Sequence, residues 1–386
     1  MLCEKSKCTG CFACYNICPK NAIKMEEDEY GNVYPKINSN KCINCNLCNN
    51  VCPELNEKLS FNESNIAFLL YDKNFNERIK SSSGGAAMLF SKMIIENGGV
   101  VYGASNIFGN NRVGFERIDN LNDLYKIRGS KYFHCYVNES FKSIKKDLKE
   151  GVNVLFIGTP CQVAGLKMFL IDDYANLITV DIICHGVPSQ KLFFENLNEI
   201  KRKEDIYYIK FRNEKGFYFQ AFDKNCDIVY EIDSYCDYYY YNFLKGNIYR
   251  DNCYSCKYAQ NKRVSDATIG DFWGASKDSV AYDSENKGLS LALPNTDKGE
   301  ILINRILDKT IYDIRPLEEA YRGNAQLNHP SAIKKEYFVY KSKYPIYGYK
   351  KTMKKMAGFK INIKISIKKK KNIMRIIHFL KKGGKL

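Results

Sequence analysis

Two stretches of this chain repeat one cysteine spacing: Cys8-x-x-Cys11-x-x-Cys14-x-x-x-Cys18-Pro19 and Cys42-x-x-Cys45-x-x-Cys48-x-x-x-Cys52-Pro53. Thiolate sulfur is a soft ligand that suits iron–sulfur clusters. Three cysteines at x-x spacing share a tight loop and reach three irons of one cube, while the fourth, ahead of proline, points away and serves the other cube. The spacing therefore predicts one 4Fe-4S cluster on Cys8, Cys11, Cys14 and Cys52, and a second on Cys42, Cys45, Cys48 and Cys18. A pair of zinc knuckles is the alternative, but tetrahedral zinc does not require two copies of a four-cysteine run each followed by proline.

Four further cysteines stand where a fold could gather them. Cys161 follows Gly158-Thr159-Pro160 at a strand-to-helix turn, Cys184 ends an apolar strand ahead of His185-Gly186, and Cys253 and Cys256 form a C-x-x-C in a polar loop. The C-terminal edge of an α/β sheet is where such folds build their sites. From spacing alone, a zinc site or buried free thiols serve equally well. Cys184 beside His185 suggests a cysteine hydrolase, yet adjacent residues on an extended strand face opposite sides and make poor nucleophile–base partners. Cys3, Cys135, Cys226 and Cys236 lack cluster spacing and read as free thiols.

The elements that must hold these residues fall into three units: a two-cluster unit over 1–60, a larger unit over 61–340 (divided at 61–145 and 146–340), and a basic amphipathic tail over 341–386. In the first, residues 28–32 read as a hairpin turn before a short strand at 33–37. From residue 66, apolar strands alternate with amphipathic helices, an α/β arrangement. Strands are expected at 66–71, 100–103, 152–157 and 178–183, and helices at 85–96, 139–150, 161–169, 188–201 and 297–307. Runs at 207–212, 217–223 and 228–232 read as a small antiparallel addition, and 252–264 and 284–287 as loops. In the tail, residues 360–368 alternate Lys or polar residues with Ile, a strand period, before Ile373, Ile376, Ile377 and Leu380 fall at helical spacing.

The chain has 386 residues, 45% hydrophobic and 26% charged, enough to bury a core beyond a two-cluster unit. Met1-Leu2-Cys3-Glu4-Lys5 holds no apolar signal core, and no apolar run nears the roughly 18 residues that span a bilayer. A cytoplasmic place is therefore expected, where thiols are reduced and available to metals. The net charge is +16: 16 of the 59 Lys and Arg residues lie in 341–386, which holds no Asp or Glu, so the remaining 43 balance the 43 acidic residues. A basic tail with Ile, Met and Phe on one side suits the inner membrane face, an acidic partner, or a mobile extension. Nucleic-acid binding is disfavoured, since no reading module accompanies the charge.

Five segments then stand in order: Ser81-Ser82-Ser83-Gly84-Gly85, Gly129-Ser130-Lys131-Tyr132, Gly158 through Leu166, Cys184-His185-Gly186-Val187-Pro188-Ser189, and Gly270-Asp271-Phe272-Trp273-Gly274. As a set they resemble the coenzyme F-420 hydrogenase/dehydrogenase beta-subunit family over residues 65–300, with a bacterial-type dicluster ferredoxin arm in front. The expected fold is an α/β main domain with small antiparallel additions, preceded by an α+β dicluster ferredoxin-like domain. The resemblance implies FAD and a third 4Fe-4S cluster near it, on Cys161, Cys184, Cys253 and Cys256. It implies an oxidoreductase moving electrons between 4Fe-4S clusters and FAD, which exchanges a hydride or electron pair with a substrate.

The residues agree with that implication. Ser83, Gly84 and Gly85 open a helix whose free N–H groups suit a pyrophosphate. Gly129-Ser130-Lys131 adds a second contact, with Lys131 placed to neutralise a reduced flavin, and Gly158 and Thr159 precede another helix start. An ordinary capped turn is the alternative for each. Asp271 binds a ribose or substrate, or caps a turn. Trp273, the only tryptophan, covers the flavin or a cluster, or fills the core. No residue distinguishes coenzyme F-420 from another substrate. The alternative function is a non-catalytic electron-relay subunit of a larger redox complex. Either way a redox partner protein or soluble donor is expected.

Overall fold

The computed structural model describes residues 2–107, 113–200, 205–283 and 288–381, so the loop expected at 284–287 lies outside the described residues. The N-terminal unit is a hairpin, β1 (Ile23–Glu27) antiparallel to β2 (Val33–Ile37), flanked by short helices Ala13–Ile17 and Leu47–Asn50 that follow the two cysteine loops. Its turn is set by Asp28, whose carboxylate accepts from the N–H groups of Tyr30 and Asn32, 3.0 and 2.8 Å away.

The larger unit is built on an eight-stranded mixed sheet. Its strands are β3 (Ala67–Asp72), β4 (Val100–Ala104), β5 (Phe115–Ile118), β6 (Val154–Gly158), β7 (Leu177–Ile182), β11 (Ala267–Asp271), β12 (Ser290–Pro294) and β13 (Thr310–Arg315), in the order 13-3-12-11-7-6-4-5. Strands β4, β6, β7 and β11 pair in parallel, and β12 runs antiparallel between β11 and β3. The antiparallel addition is present as β8 (Tyr208–Lys210), β9 (Tyr218–Phe222) and β10 (Ile228–Asp233). The helices expected at 85–96, 139–150, 161–169 and 297–307 appear as Ala86–Glu96, Ser140–Lys149, Pro160–Leu170 and Asp297–Asn304. The helix expected at 188–201 is shorter, Gln190–Leu197, because Ser189 caps it by accepting from the Leu192 N–H.

Four strands, β5, β11, β12 and β13, were not anticipated from the sequence. β11 carries Gly270 and Asp271, and β13 is an edge strand with mostly exposed or half-buried side chains. Neither shows the apolar run that marks a buried strand.

The tail departs most from expectation. Residues Lys335–Lys381 are helical, broken where Gly348 and Gly358 adopt φ of 69°. The alternation at 360–368 does not form a strand: Ile365 is buried and Ile361 half-buried, while Ile363 and Ile367 are exposed. With no strand edge to pair with, the period-two isoleucines divide between two helix faces four residues apart. Nor does the segment begin as a free extension. Tyr340, Tyr344, Tyr349, Met353 and Met356 are buried in the largest core cluster, and the boundary drawn at 341 falls inside the helix. Tyr344 and Tyr349 hydroxyls donate to Glu195 and Asn196, 2.6 and 2.8 Å away. Among the described residues, no helix is long and apolar enough to cross a membrane.

Candidate functional site

The cysteine runs line two voids. The first is lined by Cys8, Cys11, Cys14 and Cys52, the second by Cys18, Cys42, Cys45 and Cys48. Each thus takes three cysteines from one run and the last from the other. The first void is interior, with Cys8, Cys11 and Cys52 buried, whereas Cys45 beside the second is exposed. Among the described residues no three His, Cys, Asp or Glu side chains converge on a single ion. The sulfurs ring a space instead.

Cys3, which has no motif spacing, also lines the first void and packs on Cys8 and Cys52. Its hydrogen bond pulls the Cys8 thiol down to about 6 against the effect of burial, with Arg250 assisting. Burial raises Cys11 to about 12 and Cys14 well above its ordinary range.

The N-terminal unit is seated on the larger one. Cys11 packs on the helix Pro160–Leu170 so closely that a Cβ on Gly165 would lie 2.8 Å from the Cys11 Cβ and 3.0 Å from its Sγ. Lys257 Nζ donates to the Pro53 carbonyl at 2.5 Å, and Asn16 Nδ2 to that of Asn138 at 2.7 Å. The C-terminal helix closes the joint: the Tyr30 hydroxyl donates to the Lys341 carbonyl at 2.8 Å, and Tyr340 and Tyr344 pack on its ring.

Helix Pro160–Leu170 carries Cys161 in its first turn. Cys184 follows β7, and Cys253 and Cys256 flank the end of the short turn Asp251–Ser255. The four are neighbours. Burial raises each thiol, Cys184 to about 12, and charge on Cys256, Cys184 and Cys253 further opposes ionisation of Cys161. Four half-buried, neighbouring thiols that resist becoming thiolates together are a donor set that a cationic core would relieve. Desolvation in the cavity wall lowers His185 while it raises Cys184, which disfavours the thiolate–imidazolium pair of a cysteine hydrolase.

Cys184 lines both this group and a cavity of about 450 Å³ at the C-terminal ends of β6, β7 and β11. That is a volume suited to a cofactor. All five sequence segments border it, through Ser83, Gly85, Lys131, Gly158, Thr159, Cys184 and Asp271 among others, as does Trp273.

Gly85 caps the helix Ala86–Glu96 with φ of +100°, a conformation that favours glycine. A side chain on Gly84 would strike the Leu70 carbonyl and the Ser290 N–H, so this turn lies close against the backbones of β3 and β12. The Ser83 hydroxyl donates to Leu289 O at 2.8 Å and is already engaged. Thr159 N–H donates to Gln162 Oε1 at 3.0 Å, a capping arrangement, and its Oγ1 lies 3.2 Å from Cys161 Sγ.

Lys131 lines the cavity wall with Nζ donating to the carbonyls of Ile127, Arg128 and Gly129, at 2.7, 3.2 and 2.9 Å. Burial lowers it to about 7, against three carbonyls that favour the protonated form.

Asp271 makes a bidentate pair with Arg212, 2.9 and 2.7 Å. Arg212 also donates to Ser82 O and the Tyr132 hydroxyl, and lies over the Phe217 ring. Trp273 is 39% exposed and stacks on Phe217 at the cavity edge, so it does not fill the core. Arg212 carries no local signal, since it ends a run that reads only as a strand, and only the fold sets it against Asp271, 59 residues later.

Against known proteins, residues 151–320 match the family described as the C terminus of the coenzyme F-420 hydrogenase/dehydrogenase beta subunit. Residues 7–55 match the 4Fe-4S dicluster domain. These segments contain, respectively, the four inner cysteines with Arg212 and Asp271, and all eight cysteines of the repeated runs. No curated protein matches the chain. Among solved structures, a chain of the xenon-derivatised F-420-reducing nickel–iron hydrogenase complex from Methanosarcina barkeri is similar, with a TM-score of 0.46 and 15% identity over 68% of this chain and 85% of that one.

Proposed function

We propose that this chain, which joins a 4Fe-4S dicluster domain to the C-terminal domain of the coenzyme F-420 hydrogenase/dehydrogenase beta-subunit family, is an iron–sulfur flavoprotein oxidoreductase. One observation carries the proposal: the thiol groups and the cavity form a continuous series. Cys48 at the outer void acts on Cys14 at the first void, whose Cys11 packs on the helix bearing Cys161. The inner group then reaches the cavity through Cys184. Tyr258 stands along this line, with Glu54, Cys161, Cys11 and Cys256 all acting on it.

In this proposal Cys8, Cys11, Cys14 and Cys52 hold one cluster, Cys18, Cys42, Cys45 and Cys48 a second, and Cys161, Cys184, Cys253 and Cys256 a third. The cavity holds FAD. Ser83, Gly84 and Gly85 offer backbone N–H groups to its pyrophosphate, and Lys131 places a cation at the wall. When bound, FAD trades electron pairs for single electrons. The Arg212–Asp271 pair fixes the rim where a substrate enters, beside Trp273.

Iron, sulfide and flavin per chain after oxygen-free purification test the assignment. About twelve irons and one flavin are expected for three cubes of four irons. Eight irons without flavin would leave only the dicluster arm. The exposed Cys45 at the outer void also favours a second role, an electron-relay subunit bound to a redox partner. Turnover of a small molecule by the isolated chain would count against it.

A further inference from the structure

Among the described residues two arginines are at most 2% exposed, and they are held differently. Arg263, 2% exposed, pairs with Asp181, with 2.9 Å between Nη2 and Oδ1. Arg250, 1% exposed, has no carboxylate partner among the described residues. Its Nε donates to Cys8 O at 3.0 Å, its Nη2 donates to Val33 O at 2.9 Å, and its guanidinium lies 4.2 Å from the Tyr34 ring centre. Its Nη1 makes no hydrogen bond. Carbonyls and a ring face ease the burial of a cation but do not neutralise it, and an unpaired buried charge is costly.

Its location shows where the counter-charge belongs. The Arg250 N–H donates to Val187 O and its carbonyl accepts from the Cys253 N–H, both at 2.9 Å, so the main chain anchors the inner cysteine group. The side chain reaches the other way, beneath the Cys8 loop, where a Cβ on Gly10 would lie 3.4 Å from the guanidinium carbon. Arg250 stands behind the Cys8–Gly10 loop rather than in the lining of the first void, which also holds Glu54; among the described residues no arginine lines the outer void, and Lys20 at its rim is exposed to solvent.

We propose that Arg250 is the fixed cation that balances the cluster held by Cys8, Cys11, Cys14 and Cys52 and raises its potential relative to the outer cluster. A 4Fe-4S centre with four thiolates is anionic in both redox states, and one added electron makes it more so. A buried cation therefore favours the reduced state, and net charge is among the terms that set such potentials. One electron arrives from the outer centre and one leaves toward the inner group. No proton moves, because guanidinium does not titrate. The inference rests on the cluster assignments proposed above and is independent of the flavin.

The test is an EPR-monitored redox titration of the full chain, purified without oxygen, as wild type, Arg250→Gln and Arg250→Lys. A Cys45→Ser background, which alters the outer cluster, assigns each couple. In Arg250→Gln the couple of the cluster at Cys8, Cys11, Cys14 and Cys52 is expected to shift negative by at least a tenfold change in the reduced-to-oxidised ratio, 59 mV for one electron, with the outer couple unmoved. Arg250→Lys keeps the charge and should keep most of the potential. Arg250→Gln with full iron and both couples unmoved would overturn the proposal, as would Arg250→Lys shifting equally far. If Arg250→Gln takes up no iron, Arg250→Lys decides: full iron at the wild-type potential upholds the charge role, and loss of the cluster there too reduces Arg250 to a structural part and overturns it. A wild-type protein without flavin would defeat the flavoprotein assignment and leave this titration intact.

Discussion

Replacing Gly165 by valine should loosen the seat of the dicluster arm. Gly165 lies mid-helix in Pro160–Leu170, and its bare Cα faces Cys11. A Cβ there would sit 2.8 Å from the Cys11 Cβ, 3.0 Å from Sγ and 3.4 Å from the carbonyl oxygen. These atoms belong to a buried loop that, in the proposed assignment, its cluster ligands also pin, so they cannot swing away. Overpacking of this kind costs about 1–3 kcal/mol. Alanine recovers about 1 kcal/mol of helix propensity, so Gly165→Ala should lose about 0–2 kcal/mol. Valine adds two methyl groups and recovers less, for a loss of about 2–3 kcal/mol. The strain falls on the joint between Cys11 and the helix bearing Cys161. Melting followed at the cluster absorbance should therefore drop by several degrees, and the clusters should bleach faster in air. Lys167→Ala on the same helix, away from Cys11, serves as a control. Gly165→Val with full iron, an unchanged melting curve and wild-type bleaching would refute the close seating of the arm.

Three further outcomes are expected. Asp271→Asn leaves the Arg212 guanidinium without its counter-charge; because these side chains keep 14% and 18% exposure, the loss should be about 2 kcal/mol, below that for a fully buried pair. A urea midpoint equal to wild type would remove the clamp. Lys131, lowered by burial to about 7 from an ordinary 10.5, releases its proton earlier folded than unfolded. The unfolded chain thus binds more protons between those values, and this group makes stability of the flavin-free protein rise with pH across that window. Lys131→Met should flatten that rise, and identical pH profiles would argue against a titrating Lys131. A chain ending at Tyr340 loses Tyr344, Tyr349, Met353 and Met356 from the core, at about 1.5–3 kcal/mol each, comparable with a whole domain's stability. It should be recovered only as aggregate, and a soluble, iron-loaded product would show the helix to be dispensable.

Short-range chemistry was legible without coordinates. The repeated cysteine runs, the alternation of apolar strands with helices, and the serine–glycine turn before Ala86 depend on neighbours a few residues apart, where spacing alone constrains geometry. The segment resemblance likewise pointed to the cavity residues and the four inner cysteines before the fold brought them together.

What the tertiary structure decided involves partners far apart in sequence. Arg212 meets Asp271 across 59 residues and Arg250 meets Cys8 across 242; neither arginine carries a local signal, since its role lies in what it faces after folding. Cys3 looked idle for the same reason. The tail was misjudged because Lys350, Lys351, Lys354, Lys355, Lys360 and Lys364 are exposed while Tyr344, Tyr349, Met353 and Met356 pack on a surface that exists only once residues 30, 195, 196 and 251 have been assembled beside it. Period and composition describe one segment at a time, whereas burial belongs to pairs of segments, and only the folded chain brings those pairs together.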